Sequence, residues 1–172
     1  MSEEGAPNDG SSTALVLRAE APLRPGDEVR LQTLWLSLQR RPWRSLALVA
    51  ADKGVSTLDT ANSLAQISWA YTGQPATVFD LRDLSLRLLE HQTRDMGEQL
   101  QQGERVFVAL RSPAENPTAS PIAMAADAAV LCVVLGQTDI KSAQQAVAAI
   151  GRDRFVGTIL VSPSRDPDEP GP

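Results

Sequence analysis

Residues 46–58 read Leu-Ala-Leu-Val-Ala-Ala-Asp-Lys-Gly-Val-Ser-Thr-Leu. A short apolar run, Leu46–Ala50, leads into a polar loop, and Ser56-Thr57 opens a helical pattern. Strand, glycine-bearing loop and helix in that order are the setting of a phosphate-binding loop, whose pattern ends Gly-Lys-[Ser/Thr]. Gly54, Ser56 and Thr57 stand in their places, but the residue between Gly54 and Ser56 is Val55. In a working loop, backbone N–H groups and the helix N-terminus hold the phosphates, a lysine neutralises them, and the Ser/Thr hydroxyl ligates magnesium. Valine cannot do the lysine's part. Lys53 lies two residues earlier, on the stretch that would wrap the phosphate, and would meet an anion from a different direction. The other reading of Ser56 and Thr57 is an ordinary helix cap.

Outward from this loop the chain alternates helix and strand. Asp27–Arg40 carries Val29, Leu31, Leu34, Trp35 and Leu38 mostly on one helical stripe, with Asp27 as N-cap and Pro42 as terminator. After the strand at Leu46–Ala50 come a helix over Ser56–Tyr71 and a strand over Ala76–Phe79 that ends at Asp80. A long helix over Leu84–Gln102, a strand over Arg105–Leu110 and a Pro/Ser-rich loop over 111–121 follow. A short helix at Ile122–Ala126, a strand at Val130–Leu135, a helix at Ile140–Ile150 and a strand at Phe155–Val161 complete the series. This alternation predicts an α/β fold of three layers, with about five mostly parallel strands and helices on both faces.

Residues 1–26 read as a disordered or extended N-terminal arm, residues 27–161 as the folded domain, and the Pro-rich stretch 162–172 as a disordered tail. Within the arm, Thr13-Ala-Leu-Val-Leu17 is an apolar patch suited to lying extended against the domain. A net charge of −5 argues against a nucleic-acid partner, which calls for clustered Lys/Arg. The single cysteine, Cys132, excludes an intrachain disulfide and suits a reducing compartment. The longest apolar run, Ala128–Leu135, is too short to span a bilayer, and the acidic start of the chain is no secretory leader. The expected location is therefore cytoplasmic, without direct membrane insertion; recruitment to an inner membrane would need a partner.

Other side chains offer little chemistry. His91 has no second histidine with which to share a metal, and Cys132 sits mid-strand as a small hydrophobe. Ser112 and Ser120 lie outside any Gly-x-Ser-x-Gly elbow. Trp35, Arg41 and Trp43 suit an interface anchored by aromatics and arginine, although core tryptophans carry the same signature.

Further stretches carry a resemblance. Ala61-Asn62-Ser63-Leu64-Ala65 follows the loop, Val78-Phe79-Asp80-Leu81-Arg82 closes the second strand, and Ala109-Leu110-Arg111-Ser112-Pro113 closes the third. Ser120 to Val134 repeats a Ser-Asp-Ala-x-x-Leu-Ala-x-x-Ala-Asp-x-Val-x-Leu-Val-Val pattern in part. Their order and spacing resemble the P-loop ATPases of the ParA/MinD class, most nearly the cytoplasmic tyrosine autokinase domains of bacterial capsule and exopolysaccharide export. The family's Pro-Gly-Glu-Gly-Lys-Ser-Thr loop falls on Ala51–Thr57, its second acidic motif on Asp80, and its Walker B strand end on Ala109–Pro113.

The resemblance implies a strand order of 2-3-1-4-5 and a vestigial nucleotide site at Lys53, Gly54, Ser56, Thr57 and Asp80. It also exposes losses. The loop lysine is Val55, the earlier signature lysine is Ala50, and the Walker B aspartate is Arg111. Phosphoryl transfer rests on electrostatics and positioning, so these changes remove its means. The one tyrosine, Tyr71, is not in the tail, where the autokinases carry a phosphorylated cluster. The expectation is a protein that is not an enzyme and holds no cofactor or metal. Its role would be that of an adaptor or regulatory subunit of an exopolysaccharide synthesis or export complex. The implied partners are a membrane-embedded polysaccharide co-polymerase or synthase, an active paralogue, or a second copy in a homodimer. The alternatives are a non-hydrolysing nucleotide-binding switch and a ParA/MinD-like positioning factor.

Overall fold

Ser45–Ala50 (β1) is buried along its whole length, a condition that requires cover on both faces of the sheet. The computed structural model describes residues 25–161. It places β1 at the centre of five parallel strands in the order β2-β3-β1-β4-β5. The helix α1 (Pro25–Leu38) precedes β1, and α2 (Leu58–Thr72) joins it to β2 (Ala76–Asp80). A 3-10 turn at Leu86–Leu88 and α3 (Leu89–Gln101) lead to β3 (Arg105–Leu110). Then come α4 (Ala119–Ala125), β4 (Ala128–Val134), α5 (Ile140–Ile150) and β5 (Phe155–Val161). The three-layer α/β architecture expected from the alternation of elements is present, and so is the strand order that the resemblance implied.

Side chains alternate between the two layers, as the period of a strand requires. Leu46 and Leu48 join Val78, Phe107, Ala109, Val130 and Cys132 under α1 and α2. Ala47 and Val49 join Phe79, Val106, Val108 and Leu110 under α3 and α4.

Trp35 and Trp43 belong to the first of these layers, 4% and 5% exposed, which corrects their expected place in an interface. The Trp43 ring meets Trp35 and Phe107 edge-on, with centroids 5.8 and 5.6 Å away. Its indole N–H donates to the Leu38 carbonyl at 2.8 Å, so burial leaves no polar atom stranded. That bond also satisfies one of the free carbonyls at the end of α1, which stops at Leu38 rather than running to Arg40. The Arg105 guanidinium lies over both rings, 5.2 Å from Trp35 and 4.7 Å from Trp43. Of the three residues expected to line an interface, only Arg41 is at the surface, its Nη1 donating to the Asp153 carbonyl at 3.3 Å.

Several boundaries differ from expectation. The first helix begins at Pro25, where proline fits a first turn, so Asp27 lies inside the helix rather than capping it. The second helix begins at Leu58, not Ser56. The expected helix over 84–102 is shorter because the Leu84 carbonyl is engaged from outside, by Asn116 Nδ2 at 3.0 Å and Thr118 Oγ1 at 3.3 Å. The short helix begins at Ala119, and β4 at Ala128. The arm, its patch at Thr13–Leu17 and the tail lie outside the described residues, except that Pro25 and Gly26 belong to α1.

Asp127 ties the start of β1 to the start of β4. Its Oδ2 accepts the N–H groups of Arg44 at 2.8 Å and Ser45 at 2.9 Å, and its own N–H donates to Ser45 Oγ at 2.8 Å. Burial pushes this carboxyl's pKa up, but the two backbone donors, the Ser45 hydroxyl and the Arg44 charge together outweigh that and hold it below the usual carboxylate range. A depressed folded pKa means the contribution is fully present above the unfolded pKa, near ~4. It fades as pH falls through the folded value. Asp127→Ala should therefore cost about 1–2 kcal/mol at neutral pH, leaving two N–H groups without their acceptor. Urea unfolding of both proteins at neutral pH and again below about pH 4 should show that gap narrowing in acid.

Candidate functional site

The loop after β1, the turn after β2 and the segment after β3 meet at one end of the sheet, where α/β folds place their ligands. They bring together Gly54, Ser56, Thr57 and Asp80 from the expected site, with Lys53 at the exposed rim. Gly54 supplies a left-handed turn at φ +77°, which an L side chain rarely adopts.

The hydroxyls face elsewhere. Thr57 is fully buried, and its Oγ1 donates to the Leu110 carbonyl at 3.0 Å, pinning the start of α2 to the end of β3. Ser56 Oγ donates to Asp59 Oδ2 at 2.9 Å. Thr57 is the N-cap of α2, but its side chain makes no cap bond to the first amides of the helix. Val55 is half-buried and packs against the core under α1 and α2, while also lining the mouth of the loop. The Lys53 side chain is exposed, and its backbone N–H is held by Asp52 Oδ1 at 2.7 Å.

Charge completes the closure. Arg82 grips Asp80 with both prongs, Nε to Oδ1 at 2.7 Å and Nη2 to Oδ2 at 2.8 Å. The bonded Arg82 side chain holds the Asp80 carboxyl below the usual carboxylate range, and Asp80 in turn raises the Arg82 pKa. Arg111 directly follows β3 at the same end of the sheet. Its Nε contacts Asp83 Oδ1 at 2.8 Å and its Nη1 lies 3.7 Å from Glu115 Oε1. The hydrogen bond that Arg111 donates to Asp83 is the main reason its pKa is raised.

Between these groups is a cavity of about 200 Å³ bordered by Gly54, Val55, Ser56, Arg82, Arg111 and Glu115. A second, of about 440 Å³, opens beside it between the loop, the segment after β3, and α5, with Lys53, Asp52, Ser142 and Gln145 in its wall. Around the first cavity each arginine already has a carboxylate, and Asp80, Asp83 and Glu115 outnumber Arg82 and Arg111. A polyphosphate entering there would add negative charge and would have to break an existing ion pair for each cation it used. Both Asp80 oxygens are likewise committed to Arg82, and among the described residues no group of three or more His, Cys, Asp or Glu could hold a metal ion.

Arg82, Asp83, Asp59 and Glu115 are the members that sequence reasoning did not single out. The signal for one of them was present: Asp80 and Arg82 are two residues apart where a strand ends, a spacing that puts side chains on the same side. The remaining candidates stay apart from this site. His91 is exposed on α3, 3.5 Å from Asp95. Cys132 is buried in β4, where desolvation pushes its thiol pKa up to about 12 and leaves it inert at neutral pH. Tyr71 is exposed near the end of α2. No helix among the described residues is long and apolar enough to cross a membrane. No family model, curated protein or solved structure matches this chain.

Proposed function

We propose that this chain is a catalytically silent P-loop relative acting as an adaptor or regulatory subunit, a protein whose surface is used and whose nucleotide site is not. The observation that carries the reading is Arg111, ion-paired to Asp83 and Glu115 where a magnesium-linked aspartate would be needed. Thr57 supports it from the other side of the site, its hydroxyl spent on the Leu110 carbonyl. The partner class rests on the resemblance to the polysaccharide-export autokinases: a membrane-embedded co-polymerase or synthase, or an active paralogue. Affinity capture of the full chain from its native host tests this. The expected result is an envelope or polysaccharide-machinery protein retained equally with and without added ATP; a reproducible partner set lacking any such protein would count against it.

Val55→Lys is expected not to restore hydrolysis. The residue at 55 packs partly into the core, and Arg82 and Arg111 remain in place around the loop mouth. Phosphate release from Mg-ATP should stay at the wild-type background, and a rise of tenfold or more would show the site to be far less degraded. A second reading, a nucleotide-responsive switch without hydrolysis, is favoured by the retained left-handed turn at Gly54 and by the 440 Å³ cavity reached by Lys53. Direct binding of Mg-ATP separates the two.

A further inference from the structure

Among the described residues β5 is an edge strand without the usual guards. Unpaired edges are commonly protected by charge, proline or a covering segment, because their free N–H and C=O groups accept any strand offered. Phe155–Val161 contains neither charge nor proline, and Thr158 and Leu160 stand exposed on it, Leu160 by 67%. The opposite edge, β2, is five residues long and ends in the Asp80–Arg82 ion pair.

The hand of the connections says what belongs beside β5. From β1 to β2 the chain crosses toward one edge through α2, on one face of the sheet. From β2 to β3, β3 to β4 and β4 to β5 it steps back toward the other edge, with α3, α4 and α5 on the opposite face. All four crossovers thus share one hand, as parallel crossovers do almost without exception. α1 shares the face of α2 and leads directly into β1. A strand feeding α1 with the same hand must lie on the β4–β5 side of β1, and the position there that no described strand fills is the outer edge of β5. Beside β2 the same strand would need a crossover of the wrong hand.

The chain before α1 holds a segment of the right chemistry and reach. Thr13-Ala-Leu-Val-Leu17 is apolar, between Ser11-Ser12 and Arg18. Residues 18–24 separate it from α1 and can extend about 23 Å. The end of α1 is held near the start of β5, where Arg41 Nη1 donates to the Asp153 carbonyl. A helix of 14 residues rises about 21 Å, so its first turn points back toward the far end of β5, within that reach. We propose that Thr13–Leu17 adds to the outer edge of β5 as a sixth parallel strand, giving the order arm-β5-β4-β1-β3-β2 and covering the exposed edge from within the same chain.

Amide hydrogen exchange on the full chain, at a concentration where sedimentation reports a monomer, tests this. The β5 amides that face away from β4 should be protected, and Val16→Pro, which removes a donor and blocks pairing, should speed their exchange at least tenfold. Ser12→Pro, outside the pairing segment, should leave them unchanged. The β1 amides, protected equally in all three proteins, show that the domain is intact, and Val16→Asp provides the same test with a charge in place of a ring. Equal exchange of β5 in wild type and both Val16 variants would overturn the proposal. So would protection that rises with protein concentration regardless of residue 16, which would assign the edge to a second copy of the chain.

Discussion

Trp43→Ala is expected to lower the stability of the domain by about 3–5 kcal/mol, the usual cost of truncating a large buried aromatic. Three losses coincide there. The indole packs edge-on against both Trp35 and Phe107, and its removal opens a cavity at the end of the sheet where β1 and β3 begin. The Leu38 carbonyl loses its donor at the end of α1. Arg105, whose Nε and Nη1 are buried without a hydrogen-bond partner, loses the ring 4.7 Å from its guanidinium centre. Burial already lowers the Arg105 pKa, and the aromatic faces are what make a cation tolerable at that depth. Trp69→Ala is the control. That residue is half exposed on α2, and its loss should stay within about 0.5 kcal/mol. Denaturant midpoints of the two variants decide the matter; similar values would show that Trp43 is not the keystone of this layer.

Thr57→Val should cost about 1–1.5 kcal/mol, because it removes the hydroxyl's bond to the buried Leu110 carbonyl while keeping the shape of the side chain. The distinction matters for function. A threonine kept for phosphate or magnesium contributes little to an empty protein, and its replacement would change ligand binding rather than stability. A threonine that pins α2 to β3 does the reverse. Ser56→Ala, whose hydroxyl reaches only Asp59 in the next turn, should change stability by less than about 0.5 kcal/mol. Unfolding curves for the pair should therefore separate clearly. A destabilised Ser56 variant beside an unaffected Thr57 variant would reverse the roles assigned to the two hydroxyls.

Much of the fold was legible because its signals are local. Arg105–Leu110, Ile140–Ile150 and Phe155–Val161 are bounded by Gly103 and Gly151, and all three occur with the limits the sequence implies. What was not legible depends on partners far along the chain. The start of α3 is displaced by Asn116 and Thr118, more than thirty residues away, bonding to Leu84. Trp35 and Trp43 carry the same composition whether they anchor an interface or a core, and only the fold brings Phe107 and Arg105 against them. The site divides in the same way. The positions of Gly54, Ser56 and Thr57 follow from strand, loop and helix in sequence. The direction of the Thr57 hydroxyl depends on Leu110, and the partner of Arg111 on Asp83, 28 residues before it. An arginine at the end of the third strand could be read from the chain; that it would be neutralised across the mouth of the loop could not.

The most direct test is titration calorimetry of the full-length wild-type protein with Mg-ATP. A site whose hydroxyls are engaged and whose two arginines are both paired should bind more weakly than about 1 mM, a free energy no more favourable than about −4 kcal/mol, and give no resolvable heat at micromolar protein. A dissociation constant in the low micromolar range would contradict the closed site and make the chain a nucleotide-binding protein after all.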